Sequence, residues 1–141
     1  MKRSITWTFA IFLLITSFVI VYGNAVIVEF HGTAGKNKVT LNWATLSEVN
    51  CKTFEIERSL NNTNFKKIGS VRAAGNSTTR KEYAFEDRNI FKTTSLSRTF
   101  YYRLKVIDTD GSFRLHSDVI SITPSISGAK YTWGSIKALF R

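Results

Sequence analysis

The segment Phe100–Ile107 alternates strictly: Tyr102, Leu104 and Val106 fall on one side of an extended chain, and Tyr101, Arg103 and Lys105 on the other. A helix would scatter these apolar groups around its circumference, so the segment is a strand with one buried face. A lone strand leaves its peptide groups without partners, so others must flank it. Asp108–Ser112 supplies a reversal through Asp110 and Gly111, and Phe113–Ile122 runs back with Phe113 and Leu115 expected inward. The apolar phase then moves to Ile120 and Ile122, which predicts a bulge or a change of strand at Ser117 or Asp118.

Five further runs precede these two. Val26–Phe30 places Val26, Val28 and Phe30 on one face. Val39–Thr45 is cleaner, with Val39, Leu41 and Trp43 inward and Thr40, Asn42 and Ala44 outward. Thr53–Ser59 turns Phe54 and Ile56 to the core and Glu55 and Glu57 to water. Asn61–Asn64 provides a tight reversal into Phe65–Ala73, where Phe65 and Val71 share a phase that Ile68 does not, so a bulge is expected. Gly75–Thr79 reads as loop, and Glu82–Asp87 as a short strand with Tyr83 and Phe85 inward. Seven short strands separated by turn residues predict an all-β, antiparallel, immunoglobulin-like sandwich. In such a fold the third and sixth runs are neighbours, so Glu55 and Glu57 are expected to pair with Arg103 and Lys105 rather than to act as an acid and a base.

Two stretches resemble a known family. Leu41–Glu48, LNWATLSE, is similar to the second strand of fibronectin type III domains, in which a Trp packs between the sheets. Leu96, Tyr102, Leu104 and Val106 match the spacing of that family's sixth strand, with Ser97, Arg98 and Thr99 where Pro-Gly is usual. The resemblance implies that Tyr102 forms a tyrosine corner, its hydroxyl bonded back to the chain upstream. Trp43–Glu48, Phe54–Ser59, Phe65–Gly69 and Tyr101–Gly111 together look like the sandwich modules of bacterial surface proteins that use the type IX secretion route. In those proteins a separate C-terminal sorting domain follows, whereas here the module is followed by Pro124–Arg141, so that route is not implied by the tail.

The N-terminus reads as an address. Lys2 and Arg3 precede an apolar run from Ile5 to Tyr22, and Gly23 and Ala25 are small residues at the two positions that signal peptidase inspects. Residues 1–25 are therefore expected to be a signal peptide cut before Val26; the run is also long enough to form an uncleaved membrane-anchoring helix. Either way the sandwich, 26–123, is expected outside the cytoplasm, in the periplasm, at the cell surface or secreted, or tethered to the inner membrane and facing the periplasm. No cysteine follows the run closely, which argues against a lipid-modified N-terminus. Cys51 is the sole cysteine of the 141 residues, so no internal disulfide forms and the core alone must hold the fold.

Nothing in the sequence points to catalysis: it has no nucleophile elbow, phosphate-binding Gly loop or HExxH string. His31 and His116 lack acidic or thiol neighbours at ligand spacing, and Asp108, Asp110 and Gly111 lack the later oxygens of a calcium loop, so neither a metal nor a cofactor is expected. The formal charge of +10 favours acidic partners. Arg80, Lys81, Arg88, Lys92 and Arg98 form a candidate anion-binding rim around the fifth strand, and Tyr101, Tyr131 and Trp133 are aromatics off the core phase that a sugar could stack on. The basic tail 124–141 carries Ile136, Leu139 and Phe140 at helical spacing beside Lys137 and Arg141. The expected function is a non-catalytic exported module making protein contacts in the cell envelope or at the surface. The alternatives are a sandwich that binds glycan or another anionic polymer, and a membrane-tethered accessory protein. No nucleic-acid partner is expected.

Overall fold

A computed structural model describes residues 24–90 and 98–124. Among the described residues eight strands follow one another: β1 (Asn24–Gly35), β2 (Lys38–Val49), β3 (Cys51–Ser59), β4 (Lys66–Arg72), β5 (Lys81–Asp87), β6 (Phe100–Asp108), β7 (Phe113–Leu115) and β8 (Ile120–Ile122). They form two antiparallel sheets. The smaller is ordered β1-β2-β5; in the larger, β4-β3-β6-β7, the strand β8 shares the β7 edge of β6. The expected signal or anchor segment and the tail beyond Pro124 lie outside the described residues, apart from Asn24 and Ala25. These two already belong to β1, ahead of the expected cut.

The strands with the cleanest alternation form as their patterns dictate. Val39, Leu41 and Trp43 from the smaller sheet meet Phe54, Ile56, Tyr102, Leu104 and Val106 from the larger, and all are buried. Tyr83 and Phe85 pack on this core half-buried. The Trp43 ring meets Phe54 edge-on across the sheets and stacks on Tyr83 within its own sheet, both at 5.6 Å between centroids. Rings of this size each contribute a few kcal/mol through burial. The Trp43 indole nitrogen has no hydrogen-bond partner among the described residues. Leu96 falls outside them.

Bulges explain two departures from the expected phases. The β1–β2 register slips on both sides of Ile27, so Ala25, Ile27 and Phe30 pack on the core while Val26 and Val28 face solvent, contrary to expectation. In β4 the predicted bulge is present: Ile56 pairs with Gly69 and Glu57 with Lys67, leaving Ile68 unopposed. Gly69 is needed there, because a Cβ would come within 2.3 Å of the Phe85 ring.

The expected seventh strand is two short ones. β7 pairs with Lys105–Ile107 and β8 with Phe100–Tyr102, and the chain breaks away at His116–Val119, around the predicted Ser117 and Asp118. Phe113 and Leu115 are 58% and 47% exposed, which corrects their inward assignment. Each lies opposite an outward residue of β6, Phe113 against Ile107 and Leu115 against Lys105, so the pairing register decides their face.

Candidate binding surfaces

The two ends of the sandwich are built around buried carboxylates. At one end, Asp87 closes β5 opposite Val39 at the start of β2. Its Oδ2 accepts from the Arg58 guanidinium at 2.6 Å and from the Tyr102 hydroxyl at 3.0 Å, and its Oδ1 accepts from the Asn89 amide. Tyr102 thus bonds to an upstream side chain, fifteen residues back, where the resemblance implied a tyrosine corner. Burial, and then the Asp87 charge, push its phenol upward from the ordinary value. Arg58 also lies over the Phe100 ring, 5.3 Å from the centroid.

At the other end, Glu48 of β2 is 1% exposed and makes no ion pair among the described residues. Its Oε1 accepts from Thr45 Oγ1 and the Tyr83 hydroxyl, and its Oε2 from the Ala74 amide at 2.9 Å. Backbone bonds between Glu48 and Ser77 and from Cys51 to Gly75 hold the loop of 73–77 beside it. Cys51 begins β3 fully buried, and burial pushes its thiol up to about 12, with Glu48 and Asp108 adding repulsion. It is a core residue and offers no accessible thiol for cross-linking.

The outer face of the larger sheet carries the expected ladder. Glu57 pairs with Arg103 at 2.7 Å and Glu55 with Lys105 at 3.7 Å, directly opposite in register. Glu57, expected in water, is largely covered, because Arg103 lies over it and over the Phe65 ring. Lys67 also binds Glu55 and holds its carboxyl below the usual range. Tyr101 is half-buried on this face, opposite Ser59 and Ser121. Lys105 Nζ sits 4.2 Å from the Phe113 ring centroid.

β7 forms one open edge of that sheet, and β4 the other. Asp108 N donates to Ser112 O and His116 N to Leu104 O, which sets Ser112, Arg114 and His116 in the bonded pairs of the ladder. By the alternation of an antiparallel pair, the peptide groups of Phe113 and Leu115 point away from β6. Their side chains are the exposed ones, with Val119 exposed just beyond.

On the smaller sheet, Arg80 reaches Glu29 at 2.9 Å and Glu82 at 3.3 Å. Ala44 stands between those two acids in the register and is covered, although it points outward as expected. An open depression of about 230 Å³ remains here, lined by Glu29, His31, Asn42, Ala44, Arg80 and Glu82.

The expected basic rim is not one surface. Arg80 precedes β5, Lys81 opens it and Arg88 follows it, and a strand of that length separates its ends by about 20 Å. Lys92, Tyr131 and Trp133 lie outside the described residues. What the fold gathers instead is a basic end around Asp87. Lys36 and Lys38 enter from the β1–β2 turn, Arg58 and Lys66 from the ends of β3 and β4, and Arg88 and Arg98 from the ends of β5 and β6. Only Glu86 and Asp87 oppose these six. Asp87 is committed to Arg58, and Glu86 holds both Lys38 and Arg88. The remaining eight Lys and Arg among the described residues are matched by eight Asp and Glu, so this end carries their whole excess of positive charge.

His116 makes a 3.4 Å contact with Asp118 and an edge contact with Phe30, and His31 is exposed. Asp110 accepts from the backbone and hydroxyl of Ser112, and Gly111 takes a φ of 85°, so this segment is the expected turn. No group of three or more metal-binding side chains occurs among the described residues.

No protein family matches the sequence, and no curated protein matches it. Among solved structures, the chain is similar to part of a β-1,2-glucanase from Parabacteroides distasonis, at a TM-score of 0.53 and 18% identity. The match covers 78% of this chain and 14% of the glucanase, and it bears on the fold alone.

Proposed function

We propose that this chain is a non-catalytic, exported binding module of the fibronectin type III kind that contacts another protein of the cell envelope or surface. The pairing of three strands against four, with β7 and β8 as halves of one interrupted strand, supports that fold type. The match to a small fraction of a glucanase suits a module of a kind that occurs within larger proteins, and no glucanase activity is carried over with it.

The observation that carries this function is the β7 edge. Outward-facing peptide groups and exposed Phe113 and Leu115 side chains together form a site where an extended partner segment adds to the sheet. Main-chain bonds supply attraction there, and the two apolar side chains select alternate residues of the partner.

Photo-reactive residues at positions 113 and 115, introduced singly in the cells that make the protein, test this. Each is expected to give a discrete adduct with one envelope or surface protein, lost when Val119 is also replaced by Lys. Absence of an adduct at both positions, or the same adduct from position 42 on the opposite face, rules the edge out.

A further inference from the structure

We propose that the basic end of the sandwich is a second binding site, separate from the β7 edge, and that its ligand is an anionic polysaccharide. Lys36, Lys66 and Arg98 have no acidic partner among the described residues, and the two carboxylates of this end are occupied by Arg58, Lys38 and Arg88. A field of one sign, uncancelled at one end of the molecule, attracts the opposite sign.

The layout selects the ligand class. Lys36 sits at the end of the smaller sheet, and Lys66 and Arg98 at the end of the larger, so cations on the two sheets stand at least about 10 Å apart. One small anion reaches only one of them. A polymer with charges repeating along its length reaches several. At the same end are groups that hydrogen-bond sugar hydroxyls: Asn62 and Asn64 in the β3–β4 turn, close to Lys66 in the chain, are exposed, and the Thr99 hydroxyl, next to Arg98, meets that of Thr123 at 2.8 Å. Leu60 is the one exposed large apolar side chain described here, too little to insert into a lipid surface. Asp87 makes the platform rigid, because its bonds to Arg58 and Tyr102 tie β3, β5 and β6 together beneath the cations.

Binding of the exported protein to polygalacturonate, with neutral dextran and phosphatidylglycerol vesicles alongside, tests the proposal. The unmodified protein is expected to bind polygalacturonate, more weakly as salt rises, and not dextran. Replacing Lys36, Lys66 and Arg98 together by Glu should weaken binding at least about tenfold. The triple replacement of Lys52, Arg72 and Lys81 by Glu changes net charge equally at the opposite end, where these three are also exposed and make no ion pair among the described residues, and should weaken binding less than about threefold. Single Lys36→Gln and Lys66→Gln variants repeat the comparison with minimal effect on folding. Equal losses from the two triples would reduce the site to net charge. Vesicle binding without polygalacturonate binding would assign it to lipid, and no binding to any probe would remove it. None of these outcomes depends on the β7 edge, whose adducts are scored separately.

Discussion

The two ends of this sandwich solve one problem differently. Each buries a carboxylate beneath a tyrosine hydroxyl, but Asp87 is neutralised by Arg58, whereas Glu48 is held by three uncharged donors. The Asp87 end ties both sheets together and carries surplus cations above. The Glu48 end ties a loop to a strand, and the charges around it balance. A buried charge can therefore be stabilised by an opposite charge or by a full set of hydrogen bonds, and the choice determines what loss of the acid leaves behind.

Asp87→Ala should have the largest effect, since it strands a mostly covered guanidinium and frees the Tyr102 hydroxyl. About 3 kcal/mol of stability should be lost, measured by urea unfolding. A loss below about 1 kcal/mol would mean that Arg58 finds water without difficulty. Glu48→Gln should cost less, about 1–3 kcal/mol, because the amide retains one acceptor and turns a donor toward another donor. If Glu48→Gln proves the costlier of the two, the contrast between the ends is inverted.

Alkaline pH should act on both ends, since the Tyr102 phenol at the Asp87 end is also raised, but at the Glu48 end it acts on two groups. Cys51 and Tyr83 are both pushed up to about 12, from ordinary values of 9.0 and 10.0, by burial first and then by Glu48. Their neutral forms are favoured in the folded state, so the stability they contribute is complete below pH 9 and declines as pH rises toward 12. Cys51→Ala should remove the part of the decline that begins near pH 9, and Tyr83→Phe its share of the part that begins near pH 10, the rest of which belongs to Tyr102. An unfolding profile unchanged by both substitutions would contradict this.

Tyr102→Phe deletes one hydrogen bond to the Asp87 carboxylate while Arg58 stays, so about 1.5 kcal/mol is expected. The smallest effect belongs to the Glu57–Arg103 pair on the outer face. A double-mutant cycle should give a coupling of about 0.2–1 kcal/mol, and a larger value would mean that the Phe65 ring shields the pair strongly from water.

Strand faces were legible where alternation was unbroken. β2, β3 and β6 present the faces that Trp43, Phe54 and Tyr102 announce, and Glu55 and Glu57 meet their partners as strand adjacency requires. β1 misled because a bulge reverses a phase without marking the sequence: Val26 and Ile27 are equally apolar, and the register with β2 decides which turns inward. Phe113 and Leu115 misled for a related reason, since an alternating strand reads the same with either face buried. Sequence proximity suggested a rim joining Arg80, Lys81 and Arg88, but a strand separates residues that a loop would cluster. Lys36, Lys66 and Arg98 are thirty or more residues apart, and only the strand order makes them neighbours.

β1 runs the length of the molecule, from Asn24 at the balanced end to Gly35 next to Lys36. Twelve extended residues span about 40 Å. A membrane or carrier joined to the chain just before Asn24 would therefore grip it like a handle, presenting the cation-rich face on the far side, pointed outward into whatever layer lies beyond.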